Sequence, residues 1–167
     1  MKVLIGEYRY DDQDREIDVT IDRYDVWSLD HTLAYIIHPA LVKLRETKQG
    51  APNVDDDDVP DHLKSTNAPP KKNEWDTDDN WFKRWDWVLD EMIWSFKTKT
   101  DIDHDAQFYS GSHDIQFVKS KEYPFHSEMV RGPNDTFKID MEGLNKHEAR
   151  IQNGFRLFGK YYQALWD

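Results

Sequence analysis

Four side chains are of the types that bind divalent metal ions, and each stands near the start of a predicted helix. They are Asp30, His31, His147 and Glu148. Carboxylates and imidazoles are common ligands of catalytic metals, so their convergence would make a small metal-dependent phosphohydrolase. The chain lacks the Glu-x-x-His pairs of di-iron helical bundles, and helix capping and ion pairing also explain these residue types. We therefore favour capping and keep the metal site as the alternative.

A second group combines tryptophan with basic side chains, as nucleotide-binding sites do. Trp87 and Trp94 lie one heptad apart, opposite the apolar stripe of their helix. Indoles stack on bases, and guanidinium groups pair with phosphates. The candidate binding residues are Arg84, Trp87, Trp94, Lys146, Arg150 and Lys160. Alternatively, residues 99–140 cover the indoles and the basic face is only solvated. The sequence contains no P-loop, GxGxxG, HExxH or RNP motif.

Three predicted helices carry these residues, and each has an apolar stripe. The first runs from an N-cap at Ser28 to Lys48, with a kink at Pro39. Its stripe consists of Leu29, Leu33, Ile36, Ile37, Ala40, Leu41 and Leu44. The second helix covers Asp79–Lys97, with the stripe Trp81, Trp85, Val88, Leu89, Met92, Ile93 and Phe96. The third covers Leu144–Trp166, with the stripe Leu144, Ile151, Phe155, Phe158, Tyr162 and Leu165. Because the first two stripes share their spacing, we expect them to pack face to face.

Two glycines interrupt the third helix. Gly154 and Gly159 each cost up to about 1 kcal/mol relative to alanine, so a physical reason to keep them is expected. Close packing of another helix and close approach of a ligand are two such reasons. We favour packing.

The rest of the chain predicts short strands and one long connection. Residues 2–10 and 16–23 are rich in β-formers and flank the polar turn Asp11–Asp14, which indicates a hairpin. Residues 99–140 form a mixed β/loop insertion. The irregular, proline-containing connection 51–79 has nine acidic and three basic residues, a net charge of −6. Its run Asp55–Asp58 lacks the ligand pattern of an EF-hand and is expected to be solvated.

We predict a single domain over residues 1–167. Its class is α+β, with three principal helices forming one core, an N-terminal β-hairpin and a small β insertion.

The composition narrows the function classes. With 33 acidic and 22 basic residues, the formal charge is −11, which disfavours nucleic acid and anionic membranes. We favour solubility as the reason for this charge, and a basic partner or imitation of a polyanion is the alternative. The absence of cysteine excludes disulfides and thiolate metal sites. No apolar run approaches the 18 residues or so of a membrane span. We therefore expect a protein of the cell interior without a cofactor.

Three segments resemble a group of small, uncharacterised accessory proteins of tailed bacteriophages. They are YDVWSLDHTLAYIIHPALVKLRE (24–46), WDWVLDEMIWSF (85–96) and HEARIQNGFRLFGKYYQALWD (147–167). The resemblance implies an accessory protein of the infected host cytoplasm, and it assigns no role to any residue. The leading hypothesis is a non-enzymatic protein that binds a host or phage protein or sequesters a nucleotide defence signal. A metal-dependent phosphohydrolase and a minor virion component are the alternatives.

Overall fold

The structure is a computed structural model that describes residues 1–7 and 15–166. The chain divides into two compact units. The first consists of Met1–Ile102 and Ile151–Asp167, and the second of Asp103–Arg150. Long helices, an N-terminal hairpin and small two-stranded sheets confirm the predicted α+β class.

The three predicted helices form, with some changes at their ends. Helix α1 spans Leu29–Thr47 and helix α2 spans Trp81–Lys99, both within two residues of the predicted bounds. Pro39 lies inside α1. Helix α3 spans Met141–Lys160 and is followed by a separate 3₁₀ turn, Tyr162–Ala164. The third helix therefore ends earlier than predicted.

Helices α1 and α2 run antiparallel and are linked near both ends. Near the start of α1, the Tyr35 hydroxyl donates a hydrogen bond to the Thr100 carbonyl at 3.1 Å. Near its end, Arg45 Nε donates to an Asp90 carboxylate oxygen at 3.0 Å. These two links fix the alignment of the helices along each other.

One hydrophobic core receives side chains from all three helices and from the connection between α1 and α2. Its buried members are Ala34, Leu41, Val54, Val59, Leu63, Trp85, Val88, Leu89, Met92, Phe96, Leu157 and Tyr161. Five of them come from α2, which is therefore the central helix of the core.

Helix α1 buries a narrower stripe than predicted. At about 100° per residue, its apolar residues fall into two neighbouring arcs. The core-facing arc consists of Ala34, Ile37, Leu41 and Leu44. The second arc, roughly 60° wide, consists of Leu29, Leu33, Ile36 and Ala40. Leu29, Leu33 and Ile36 are 37%, 37% and 39% exposed and do not belong to the core, whereas the whole stripe was predicted to lie in it. Helix α1 carries more apolar surface than α2 covers.

The buried stripe of α3 is rotated from the predicted one. Ile151, Gly154 and Leu157 are buried in the helix, and Tyr161 is buried just after it. Tyr162, which was predicted to be buried, is 64% exposed. The predicted stripe followed the aromatic positions, whereas the small residue Gly154 lies at the centre of the contact. A Cβ atom at Gly154 would lie 2.0 Å from Ser95 Oγ, which confirms the packing interpretation for this glycine.

The acidic connection packs on the helices through short 3₁₀ turns. These turns span Asp56–Asp58, Asp61–Leu63 and Ser65–Asn67. Val54, Val59 and Leu63 enter the core from this segment, although its sequence is mostly polar. Apolar residues between the aspartates therefore hold the connection in place.

Strands β1 (Lys2–Ile5) and β2 (Ile17–Thr20) form the predicted antiparallel hairpin. The predicted turn Asp11–Asp14, and the end of the first predicted strand, lie outside the described residues. Val3 pairs with Val19, and Ile5 pairs with Ile17. Because side chains alternate along a strand, these four residues share one face, which we call the hairpin face.

The second unit contains short antiparallel strands within the predicted β insertion. They are β3 (Tyr109–Ser110), β4 (Ile115–Lys119), β5 (Ser127–Arg131) and β6 (Lys138–Ile139). Strand β3 pairs with β6, and β4 pairs with β5. In the α3 residues of this unit, His147 stacks on His104, with ring centroids 5.3 Å apart.

Candidate protein-binding surface

The second arc of α1 (Leu29, Leu33, Ile36 and Ala40), which we call the exposed arc, borders two depressions that meet at Ile36. The first has a volume of roughly 310 Å³ and is lined by Met1, Val3, Thr32, Tyr35 and Ile36. The second has a volume of roughly 250 Å³ and is lined by Ile36, Ile37, Ala40, Leu41, Leu44, Phe158 and Leu165. We call the two together the apolar groove. The second depression is lined entirely by apolar side chains, so it offers a partner burial rather than hydrogen bonds.

The hairpin face extends this apolar surface beyond α1. Val3 lines the groove and is the least exposed of its four residues, whereas Ile5 and Ile17 are 57% and 68% exposed. Just before α1, Tyr24 and Trp27 stack edge to face at 5.5 Å and are both largely exposed. Exposed apolar side chains in this number usually mark an interaction site on a soluble domain.

Polar contacts hold the start of α1, which carries part of the groove. His31 Nδ1 lies 2.6 Å from the Lys99 carbonyl, and the Asp30 carboxylate lies 3.1 Å from the Lys99 ammonium. The hydrogen bond from Lys99 holds the pKa of Asp30 below its ordinary value. Asp22 caps the 3₁₀ turn Arg23–Val26 that precedes the helix. These contacts therefore hold in place the first turns of α1, which line part of the groove.

The four predicted metal ligands divide between the two units. Asp30 and His31 make the contacts to Lys99 just described, in the first unit. In the second unit, His147 Nε2 lies 3.1 Å from His104 Nδ1, and Glu148 is half-buried. Within residues 1–7 and 15–166, no group of three or more histidine and acidic side chains is arranged to hold a metal ion. The four-residue metal site stays a prediction.

Two of the predicted nucleotide-binding cations are already engaged within the first unit. Arg84 is 2% exposed, and its guanidinium donates to both carboxylate oxygens of Asp78, at 2.9 and 2.8 Å. The Lys160 ammonium lies 2.6 Å from a carboxylate oxygen of Asp55 and 2.6 Å from one of Asp58. A phosphate group would have to displace these carboxylates.

The other four predicted binding residues have mixed surroundings. Trp87 is half-buried and packs against the core, and Trp94 is also half-buried. In the second unit, exposed Lys146 pairs with Glu142 at 2.6 Å, and Arg150 is exposed. The six-residue nucleotide site stays a prediction, since its members belong to both units.

The sequence did not indicate the groove, because all the apolar residues of α1, including Ile36 and Ala40, were predicted to pack against α2. The signal was present: the seven apolar residues predicted for α1 cover a wider arc than one neighbouring helix can bury. Similarly, alternation along IDVTID predicted a half-buried strand, but nothing in the strand itself indicates what covers its apolar side.

Comparison with protein-family models, with curated proteins and with solved structures finds no match for this chain. None of the helices in the described part of the chain is both long enough and apolar enough to span a bilayer. The assignment of function therefore depends on the surfaces themselves.

Proposed function

We propose that this chain is a non-enzymatic binding protein whose apolar groove receives a helical segment of a partner protein. The observation that carries the proposal is the exposed arc of α1, where Ile36 lines both depressions and Leu29 and Leu33 are also exposed. The α1 residues that line the groove run from Thr32 to Leu44, a rise of about 18 Å, which matches a partner helix of three to four turns. Helix-in-groove recognition uses apolar anchors at this spacing.

The net negative charge of the chain favours a partner helix whose polar face carries basic side chains. A formal charge of −11 attracts basic segments and repels acidic ones, and this effect acts mainly on association rate and specificity. The partner is accordingly a basic amphipathic helix. Together with the resemblance to phage accessory proteins, this supports a protein of the infected host cytoplasm that binds a host protein or another phage protein.

Affinity capture with two matched variants tests the proposal. Ile36→Glu adds a charge at the centre of the groove, where the side chain is 39% exposed. Ile102→Glu makes the same chemical change outside the groove, at a side chain that is 79% exposed. Tagged proteins are incubated with lysate of infected bacteria, and bound proteins are identified by mass spectrometry and then purified for binding assays.

The wild type and Ile102→Glu should retain the same partner, and Ile36→Glu should bind it at least about tenfold more weakly. One desolvated glutamate in an apolar site accounts for a change of this size. Circular dichroism confirms that both variants are folded. Equal retention of the partner by Ile36→Glu would show that the groove is not the binding site.

A further inference from the structure

Strand β1 has an outer edge, the one that faces away from β2. The Gly6 amide donates to the Glu16 carbonyl at 2.8 Å, which sets the alternation of hydrogen-bonded pairs in the hairpin. In this alternation the amides and carbonyls of Val3 and Ile5 point away from β2. Within residues 1–7 and 15–166, no hydrogen bond engages these outward groups. The edge is therefore a template for another strand.

The sequence along this edge is complementary to itself. The four residues Val3 to Gly6 form an uncharged run between Lys2 and Glu7. If two such strands pair antiparallel about a two-fold axis at Leu4, each Val3 lies opposite an Ile5 and Leu4 lies opposite Leu4. The outward amides and carbonyls of Val3 and Ile5 then satisfy one another across the axis.

We propose that the chain forms a dimer in which β1 pairs with β1 of a second copy. The two hairpins join into one four-stranded sheet, with β2 at each outer edge. The hairpin faces of the two copies become continuous and present eight β-branched side chains. An isolated two-stranded hairpin is marginally stable, so the dimer stabilises the element as well as joining the chains. This proposal does not rest on the proposed function, because it uses a strand edge and a different partner.

The charge pattern selects the edge that pairs. A β2 dimer in the equivalent register, with the axis at Asp18, would place Asp18 opposite Asp18, and like charges directly opposite are destabilising. In the β1 dimer, Asp18 instead lies on the outer strands, where charge protects an edge from further pairing. The assembly therefore closes at two copies.

A charge swap at Leu4 tests the pairing. Leu4→Lys and Leu4→Glu each place two like charges opposite one another at the axis, and each should raise the dimer dissociation constant by about fivefold. An equimolar mixture of the two variants should restore the dimer, because opposite charges then meet. The mass is measured by sedimentation equilibrium of the full chain over a range of concentrations.

Two proline variants provide the matched control. Val3→Pro and Val19→Pro each remove an outward amide from the same cross-strand pair. We therefore expect them to destabilise the hairpin within one chain to the same extent. Only Val3→Pro should give monomers. A monomeric wild type, a dimer that survives Val3→Pro, or a charge-swapped mixture that stays monomeric would each overturn the proposal.

Discussion

Asp58 is a buried carboxylate within a run of four aspartates, and it joins the acidic connection to the end of α3. Three donors surround it: Arg156 at 2.7 Å, Lys160 at 2.6 Å and the Tyr161 hydroxyl at 2.6 Å. Burial alone would raise the pKa of Asp58, but these hydrogen bonds outweigh it and hold the pKa below its ordinary value. Burial, together with the hydrogen bond to Asp58, raises the pKa of Tyr161 to about 12.

We expect Asp58→Asn to lower the free energy of unfolding by about 2–4 kcal/mol at neutral pH, because two cations lose a buried partner. A carboxylate with a lowered folded-state pKa contributes stability above its unfolded pKa of about 3.9. That contribution is lost as the pH falls through the folded-state value. Urea unfolding from pH 7 to pH 2.5 should therefore show a shallower loss in the variant than in the wild type.

Asp57→Asn is the control, because it removes the same charge from an exposed position in the same 3₁₀ turn. Its stability should stay within about 0.5 kcal/mol of the wild type, as for exposed sites in general. Equal effects of the two substitutions would show that the Asp58 contacts do not stabilise the fold.

At the scale of elements, the two glycines of α3 have different surroundings. A Cβ atom at Gly154 would meet Ser95 Oγ and the Glu91 carbonyl at 2.0 and 2.8 Å, whereas one at Gly159 would meet nothing within 4 Å. The helix backbone therefore needs glycine at the first position, where α3 approaches α2, and not at the second.

We expect Gly154→Ala to destabilise the protein by about 1–3 kcal/mol, the usual range for overpacking in a core. Gly159→Ala should instead be neutral or stabilise by up to about 1 kcal/mol, because alanine has the higher helix propensity. Thermal and urea unfolding of the two variants measures both effects. A neutral Gly154→Ala would mean that α3 can shift away from α2 without cost.

The helices and the hairpin could be predicted because each has a periodic signal of its own. The exposed arc of α1 could not, since periodicity identifies the residues on one side of a helix but not what covers them. Asp58 could not be distinguished from Asp57 for a similar reason: a short run of identical residues has no period from which an inward side chain can be chosen. The sequence thus identified the apolar residues that α1 contributes to the groove, but it did not show that Ile36 and Ala40 are left uncovered.

At the scale of the whole molecule, the charge of −11 gives the two proposed associations opposite salt dependence. Two copies of the chain repel one another, so screening by salt should strengthen the dimer. A basic helix is attracted, so salt should weaken its binding. Each association can therefore be recognised by the sign of its response to ionic strength.

Designed peptides separate specific binding in the groove from simple charge attraction. We expect an amphipathic helix of about 15 residues, with leucines on one side and lysines on the other, to bind the wild type more weakly as salt rises. A matched peptide with glutamate in place of lysine should not bind.

Ile36→Glu and Ile102→Glu both make the protein more acidic, so charge attraction alone would strengthen binding of the lysine peptide to both. Binding within the groove predicts that only Ile36→Glu loses it, because only that glutamate would be desolvated against the leucines. Fluorescence anisotropy of the labelled peptides measures the affinity of the lysine peptide for the wild type and for both variants, and of the glutamate peptide for the wild type. Equal binding of the lysine peptide to both variants would show that charge attraction alone accounts for the interaction.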